Sequence, residues 1–273
     1  MIKRILVALG ATSQTEAAIR LGLEIAVRRE AEITGVTLVH AQRTSVDAEP
    51  PESGILVRSQ FAEAQDVERR FERCLEEFQH AAEAAGVRHR TVRETAEPFT
   101  KFLDLARFHD LMICGLKKLL RYEFASEKPV DLLLRFMAAG VQPVLSVGES
   151  DRPVRKALIA FSGSAESTRA MKRFVQMNLF PGIRHRVVTF GRPEQADPLA
   201  AAAMDYCRAH GCDVEARTIA ADPQEALLPE AEAYGADVIV LGNSARKTFM
   251  RRMLGDTATH IIAGARSHLF VCQ

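Results

Sequence analysis

The chain repeats itself, and that repetition limits what it can fold into. Lys3–Ile19 (KRILVALGATSQTEAAI) lies over Arg155–Met171 (RKALIAFSGSAESTRAM). Each opens on basic residues, runs through a short apolar stretch, passes small residues and enters a helix-like pattern. His109–Gly115 (HDLMICG) matches Ala236–Gly242 (ADVIVLG), and Pro143–Gly148 (PVLSVG) matches His268–Gln273 (HLFVCQ). Matched segments in the same order mean two copies of one domain. The polar, Pro-containing stretch Gly148–Val154 reads as the joint, which gives domains at 1–148 and 153–273.

Within each copy, apolar runs of strand length alternate with helical periodicities. The first copy predicts strands near Lys3–Leu9, Glu32–His40, Val87–Arg93, Leu111–Cys114 and Val144–Val147. Its helices fall near Ser13–Arg29, Gln60–Ala85, Pro98–Phe108 and Val130–Ala139. The second copy predicts strands near Lys156–Phe161, His185–Phe190, Asp213–Ile219, Val238–Leu241 and Leu269–Cys272, with helices near Ala165–Met177, Asp197–His210, Pro223–Tyr234 and Arg252–Ala263. This alternation implies an α/β fold: two tandem, doubly wound, parallel five-stranded sheets. Ser13 and Glu16 have capping-box spacing, and Asp222-Pro223-Gln224-Glu225 combines an N-cap with Pro at the first helical position. Phe61, Ala64, Val67, Phe71, Leu75 and Phe78 form the apolar stripe of the long helix. Gln42–Ser59, rich in Pro, Ser and acid, has no counterpart in the second copy and is expected to be a mobile loop or a lid.

Charge and cysteine usage exclude several classes. Lys and Arg number 36 against 35 Asp and Glu, a net charge of +1, which argues against a dedicated nucleic-acid binder. No apolar segment approaches the roughly 18 residues of a membrane span, and no signal peptide precedes the first strand, so a cytoplasmic protein is expected. Cys74, Cys114, Cys207, Cys212 and Cys272 are scattered and odd in number, unlike a disulfide framework or a zinc site. His89, His185, His210, His260 and His268 show no metal or nucleophile spacing, and no Gly-x-Ser-x-Gly elbow or His-x-Glu deaminase signature occurs.

In open parallel sheets, ligands sit beyond the carboxyl ends of strands where the strand order switches. In the second copy that places Ala160, Phe161 and Ser162, at the end of its first strand, opposite Leu241 and Gly242, at the end of its fourth. The segment after Gly242 carries Arg246, Lys247, Arg251 and Arg252 in a loop. Gly255, Asp256 and Thr257 open the last helix, whose amides and dipole favour an anion. Asp256 introduces a like charge, which at about 4 Å and an effective dielectric of 20 costs about 4 kcal/mol against a phosphate. The same residue could instead simply cap the helix.

These residues resemble the nucleotide-binding signature of universal stress proteins: Gly, two residues, Gly, nine residues, Gly, then Ser or Thr. Here it reads Gly242, Asn243-Ser244, Ala245, Arg246 to Leu254, Gly255, Asp256, with Thr257 next. Spacing is kept, while Ala245 replaces the second Gly and Asp256 the hydroxyl residue. Asp222–Gly242 also looks like the family's third helix and fourth strand. The resemblance covers nearly all of both copies and identifies the chain as a tandem universal stress protein. It implies strand order 3-2-1-4-5 and the adenine nucleotide alpha-hydrolase-like fold. It also implies a site for ATP or another adenine nucleotide, with Mg2+ if ATP binds, at Ala160, Phe161, Ser162, Leu241, Gly242, Ala245, Arg246, Gly255, Asp256 and Thr257. Nucleotide-binding members carry Asp at the end of the first strand, where this chain has Ser162 and, in the first copy, Gly10.

The first copy has lost the signature. Gly115 is followed by LKKLLRYEFASEKPVDLLL with no Gly opening the last helix, and Lys117, Lys118 and Arg121 read as a solvated basic turn. Ser162-Gly163-Ser164-Ala165-Glu166-Ser167 stands one step from the phosphate loop of ATP pyrophosphatases, but it lacks that loop's second Gly and its Asp. The expected function is therefore a non-enzymatic, stress-associated regulator that binds adenine nucleotide in its second domain. The alternative is a nucleotide-independent scaffold or small-ligand binder. The family pairs through its last strands, so Val141–Val147 and Ser267–Gln273 are expected to pair antiparallel within the chain, making a pseudo-dimer that could itself dimerise.

Overall fold

The computed structural model describes residues 2–10, 12–38, 55–94, 98–115, 142–149, 152–242, 246–248, 251–253 and 256–272, with backbone alone at 55–67, 98–99, 246–248, 251–253 and 256–259. The chain divides into two compact units, Ile2–Ala125 and Ser126–Gln273.

The first unit runs β1 (Arg4–Ala8), α1 (Thr15–Arg29), β2 (Glu32–Leu38), α2 (Ile55–Ala84), β3 (His89–Glu94), α3 (Pro98–Ala106) and β4 (Leu111–Gly115). Its strands are parallel in the order β3-β2-β1-β4. The second unit holds β5 (Val144–Val147), β6 (Lys156–Ala160), α4 (Ala165–Met177), β7 (Arg184–Phe190), α5 (Pro193–Ala209), β8 (Asp213–Ile219), α6 (Pro223–Tyr234) and β9 (Val238–Gly242). It continues with a short hairpin, β10 (Arg246–Thr248) and β11 (Arg251–Met253), then α7 (Asp256–Gly264) and β12 (His268–Cys272). Parallel strands β8-β7-β6-β9-β12 reproduce the order 3-2-1-4-5. β5, which the repeat assigns to the first copy, lies in the second unit. It runs antiparallel to β12, with Leu269 opposite Ser146 and Val271 opposite Val144.

The central strands are continuous apolar runs because both their faces are covered. Ile5, Leu6 and Val7 of β1, and Ala157, Leu158 and Ile159 of β6, are fully buried. The outer strands β3 and β8 instead carry exposed charged residues along their length, which suits a sheet edge. β8 is tied back by an ionic cluster. Arg186 of β7 bonds Glu215 of β8 (2.8 Å) and the buried Glu230 of α6 (2.9 Å), and its guanidinium lies 3.9 Å from the centre of the Tyr234 ring.

One carboxylate in each unit sets the register of its first and fourth strands. Asp237 Oδ2, just before β9, accepts from the amides of Arg155 (2.8 Å) and Lys156 (3.0 Å) at the start of β6. Asp110 Oδ2 does the same for Lys3 (2.7 Å) and Arg4 (3.0 Å). The Asp that opens each copy of the fourth-strand motif is thus a clamp on strand-end amides that no ladder partner reaches.

Several local readings are corrected. α1 begins at Thr15 behind Gln14, which makes no side-chain cap bond, so Ser13 and Glu16 form no capping box. Thr15 replaces them, its Oγ1 accepting from the Thr12 amide (2.9 Å). α2 starts at Ile55, inside the expected loop, and residues 42–54 of that loop lie outside the described residues, as does the expected helix at 130–139. α5 begins at Pro193 rather than Asp197, because Pro193 fits the first helical position and Pro198 is accommodated one turn later at the loss of a single bond. Arg252 stands in β11, and the last helix opens at Asp256.

His109 is buried between Leu105 O (Nδ1, 2.7 Å) and Thr34 Oγ1 (Nε2, 2.9 Å). A carbonyl only accepts, so Nδ1 carries a proton, and in the neutral ring Nε2 accepts from the threonine hydroxyl, which fixes the tautomer. Burial pushes its pKa below the ordinary 6.5, opposed by the bond to Leu105. His185, on Asp213 O, is lowered by burial in the same way. The unfolded chain therefore takes up protons first as pH falls below 6.5, and stability present above that pH is lost below it. The thermal midpoint should fall between pH 7 and pH 5, and His109→Gln should flatten that slope. A second expectation concerns the clamp: Asp237→Ala leaves two strand-end amides unmet and should lower unfolding free energy by about 2–3 kcal/mol in urea titrations.

Candidate functional site

The site forms at the carboxyl ends of β6 and β9. The ladder pairs Ile159 with Val240, so the two strands end level, and the chain leaves β6 through Phe161, Ser162, Gly163 and Ser164 into α4. Gly163 has φ +76°, a left-handed conformation that suits Gly. Its α-carbon faces Leu199 of α5, whose Cδ2 would lie 3.1 Å from an added Cβ. Phe161 is buried while Ser162 is exposed.

Three serine hydroxyls close the turn. Ser164 is the N-cap of α4, its Oγ accepting from the Ser167 amide (3.2 Å). Ser167 Oγ donates to Ser164 O (3.1 Å) and accepts from the Ser162 amide (3.3 Å). Ser162 Oγ lies 3.1 Å from Ser164 Oγ and 3.3 Å from Ser167 Oγ. A hydroxyl has one proton, so Ser162 can serve one of these partners at a time or turn outward to a ligand. The amides at the first positions of α4, Ala165 and Glu166, have no intrahelical acceptor, as in any helix.

Gly242 meets this turn directly. A Cβ on Gly242 would lie 2.3 Å from the Ser167 nitrogen and 2.6 Å from the Ser167 α-carbon. The end of β9 thus runs against the backbone of the first turn of α4. Glycine here is required by contact with that backbone, which its place in the nucleotide-binding signature does not reveal.

The structure therefore brings together Ala160, Phe161, Ser162, Leu241 and Gly242. Ala245 and Gly255 lie outside the described residues. Arg246 and the other cations stand on a hairpin rather than in an open loop, with Arg246 opposite Met253 and Lys247 opposite Arg252. Asp256 and Thr257 are the first residues of α7. Sequence reasoning passed over Ser164, Ser167 and Leu199 as site residues. The spacing Ser162-Gly163-Ser164-Ala165-Glu166-Ser167 held the signal for two of them; Leu199 carried none, being distant in sequence.

The first unit builds the same corner with different groups. Thr12 and Thr15 stand where Ser164 and Ser167 do, with their hydroxyls 3.3 Å apart, and Gln14 is buried. Gly10 replaces Ser162, so the outward hydroxyl is missing. Elsewhere, burial and the neighbouring Cys212 push the Cys207 thiol up to about 12. Among the described residues no three His, Cys, Asp or Glu side chains group as metal ligands, and no helix is long and apolar enough to cross a membrane.

The family model of the universal stress protein family matches residues 1–124 and 188–273. Among solved structures, a universal stress protein from Archaeoglobus fulgidus is similar over 99% of this chain and 96% of its own, with 17% identity and TM-score 0.70. A functionally unknown protein from Pseudomonas aeruginosa PAO1 is similar over 99% of this chain and 92% of its own, with 15% identity and TM-score 0.63. A universal stress protein in complex with cAMP matches 45% of this chain and 98% of its own, with 24% identity and TM-score 0.40. No curated protein matches the chain.

The packing of Gly242 has a measurable consequence. Gly242→Ala forces the β9 end away from α4 and should lower stability by about 3 kcal/mol, read as a shift of the urea midpoint. Ser162→Ala removes a hydroxyl at an exposed residue whose turn partners water can replace, and should leave that midpoint within about 0.5 kcal/mol of the parent.

Proposed function

Because the chain belongs to the universal stress protein family, we propose that its second unit is a non-catalytic adenine-nucleotide sensor. The observation that carries this reading is the convergence of the Ser162 turn and the Gly242 strand end at the switch point between β6 and β9. Ser162 offers the ribose or base a hydroxyl where family members have a carboxylate. The opening amides of α4 and of α7 offer anion-binding donors. The hairpin after Gly242 carries Arg246, Lys247, Arg251 and Arg252 in sequence, a run of positive charge that favours an anionic ligand.

Asp256 at the first position of α7 sets the preference among nucleotides. A carboxylate there repels added phosphates, so the reading is AMP or a similarly small charge before ATP, with Mg2+ needed only for the latter. The reading includes no turnover: among the described residues, the side-chain partners of the Ser162 hydroxyl are other serines, and none is a base. A second reading, a nucleotide-independent interaction module, is favoured by one observation. The amides of Ser162, Ser164 and Ser167 are already engaged by the serine hydroxyls and so are withdrawn from phosphate binding.

The test is release and rebinding. Protein purified without added nucleotide and then denatured should release an adenine compound, read by absorbance and mass. Calorimetry on the stripped protein should show AMP binding that Gly255→Glu abolishes. Asp256→Ser should strengthen ATP binding about tenfold or more. If the stripped protein binds neither AMP, cAMP nor ATP, the sensor reading fails and the interaction module stands.

A further inference from the structure

The two units differ in one place where the fold itself supplies the comparison. In each, the helix after the second strand ends in the same hydrogen-bonded turn. Val87 N donates to Ala82 O (3.0 Å) and Gly86 N to Glu83 O (3.0 Å) in the first unit. Cys212 N donates to Cys207 O (3.1 Å) and Gly211 N to Arg208 O (2.9 Å) in the second. Ala81 is therefore the counterpart of Tyr206, and Ala85 that of His210. The matched hydroxyl pairs Thr12–Thr15 (3.3 Å) and Ser164–Ser167 (3.2 Å) likewise make Arg20 the counterpart of Lys172, and Glu24 that of Gln176.

In the second unit this position is filled. The Tyr206 ring lies beside His210 with centroids 4.6 Å apart. Lys172 Nζ stands 5.4 Å over its centre, and Gln176 Nε2 donates to its hydroxyl at 3.1 Å. In the first unit both aromatic residues are alanine, and a groove of about 730 Å³ opens between α1 and α2. Ile19, Leu23, Val27, Ala81 and Ala85 line it, Arg20 and Glu24 stand on its rim, and Val27 is 55% exposed. Its volume falls within the range of small-molecule sites.

We propose that this groove binds a small hydroxylated aromatic molecule whose ring occupies the place that Tyr206 fills in the second unit. Arg20 supplies a cation to the ring face, as Lys172 does for Tyr206. Glu24 supplies an acceptor for the hydroxyl proton, where Gln176 donates to the Tyr206 oxygen; the reversal of role selects a ligand that carries its own O–H. The apolar side chains take the rest of the ligand out of water. The proposal is independent of the nucleotide reading, which concerns the other unit.

The experiment is an NMR titration of the full chain with 4-ethylphenol as probe. Saturable shifts are expected at Leu23, Val27, Ala81 and Ala85, with ethylbenzene, which lacks the hydroxyl, about threefold or more weaker. Ala81→Tyr, which installs the second unit's own occupant, should abolish them. Arg20→Ala, an exposed change that spares the core, should weaken binding about two- to fivefold and keeps the test decisive if the tyrosine variant does not fold. The proposal is overturned if no saturable shift reaches these residues, if the shifts survive in Ala81→Tyr, if Arg20→Ala binds like the parent, or if ethylbenzene binds as well as the phenol.

Discussion

Each unit depends on a carboxylate that joins strands far apart in the chain. β6 and β9 are neighbours in the sheet, yet their ends are 81 residues apart in sequence at Lys156 and Asp237. A parallel pairing of this kind has no turn to set its register. Asp237 sets it by accepting two amides at the start of β6, and the Asp237 amide returns a bond to Lys156 O (2.9 Å). Because the strands start level, they also finish level, which puts Gly242 against α4 and the Ser162 turn at its side. The candidate site at one end of the sheet is thus fixed by a bond at the other end. Asp110 gives the first unit the same arrangement, so the corner of Thr12 and Thr15 is equally well placed even though Gly10 leaves it without an outward hydroxyl.

The two copies keep this frame and differ in what they hang on it. Thr34 and Arg186 occupy matched positions on the second strand. In the first unit Thr34 donates to His109, a neutral and compact pair. In the second, Arg186 gathers Glu215 and Glu230 and lies on Tyr234, so the same position anchors a helix and an edge strand through charge. The α1–α2 groove follows the same logic. The backbone turn at Gly86 is that of Gly211, and only the side chains one helical turn earlier decide whether the space is filled or open. Duplication preserved hydrogen bonds between backbone groups and left side-chain positions on the outer helix faces free to vary.

The architecture was legible because its signals are periodic and repeated. Continuous apolar runs mark strands covered on both faces, and two copies of each run remove the ambiguity that short apolar stretches carry. The Asp before each fourth strand was visible as a repeated letter, but its role was not, since a clamp on distant amides leaves no local pattern. Helix starts were less legible for a local reason. Ser13 with Glu16 and Thr12 with Thr15 offer overlapping caps, and the choice was made by the corner geometry after β1 rather than by spacing. The hairpin at Arg246–Met253 escaped because its strands are three residues each and rich in charge, below the length at which alternation can be recognised.

The site was legible only where chemistry and packing made separate demands on different residues. Gly242 shows the difficulty. The family signature asks for glycine there, and so does the backbone of Glu166 and Ser167 pressed against it, whatever is or is not bound. A residue required by the fold cannot by itself testify to a ligand. Ser162 is different, because it is exposed, its hydroxyl is interchangeable among neighbours, and the first unit folds the same corner with glycine in its place. The hydroxyl is thus dispensable to the turn, and its presence in one copy alone makes Ser162, rather than the glycine, the residue through which a ligand preference is best traced.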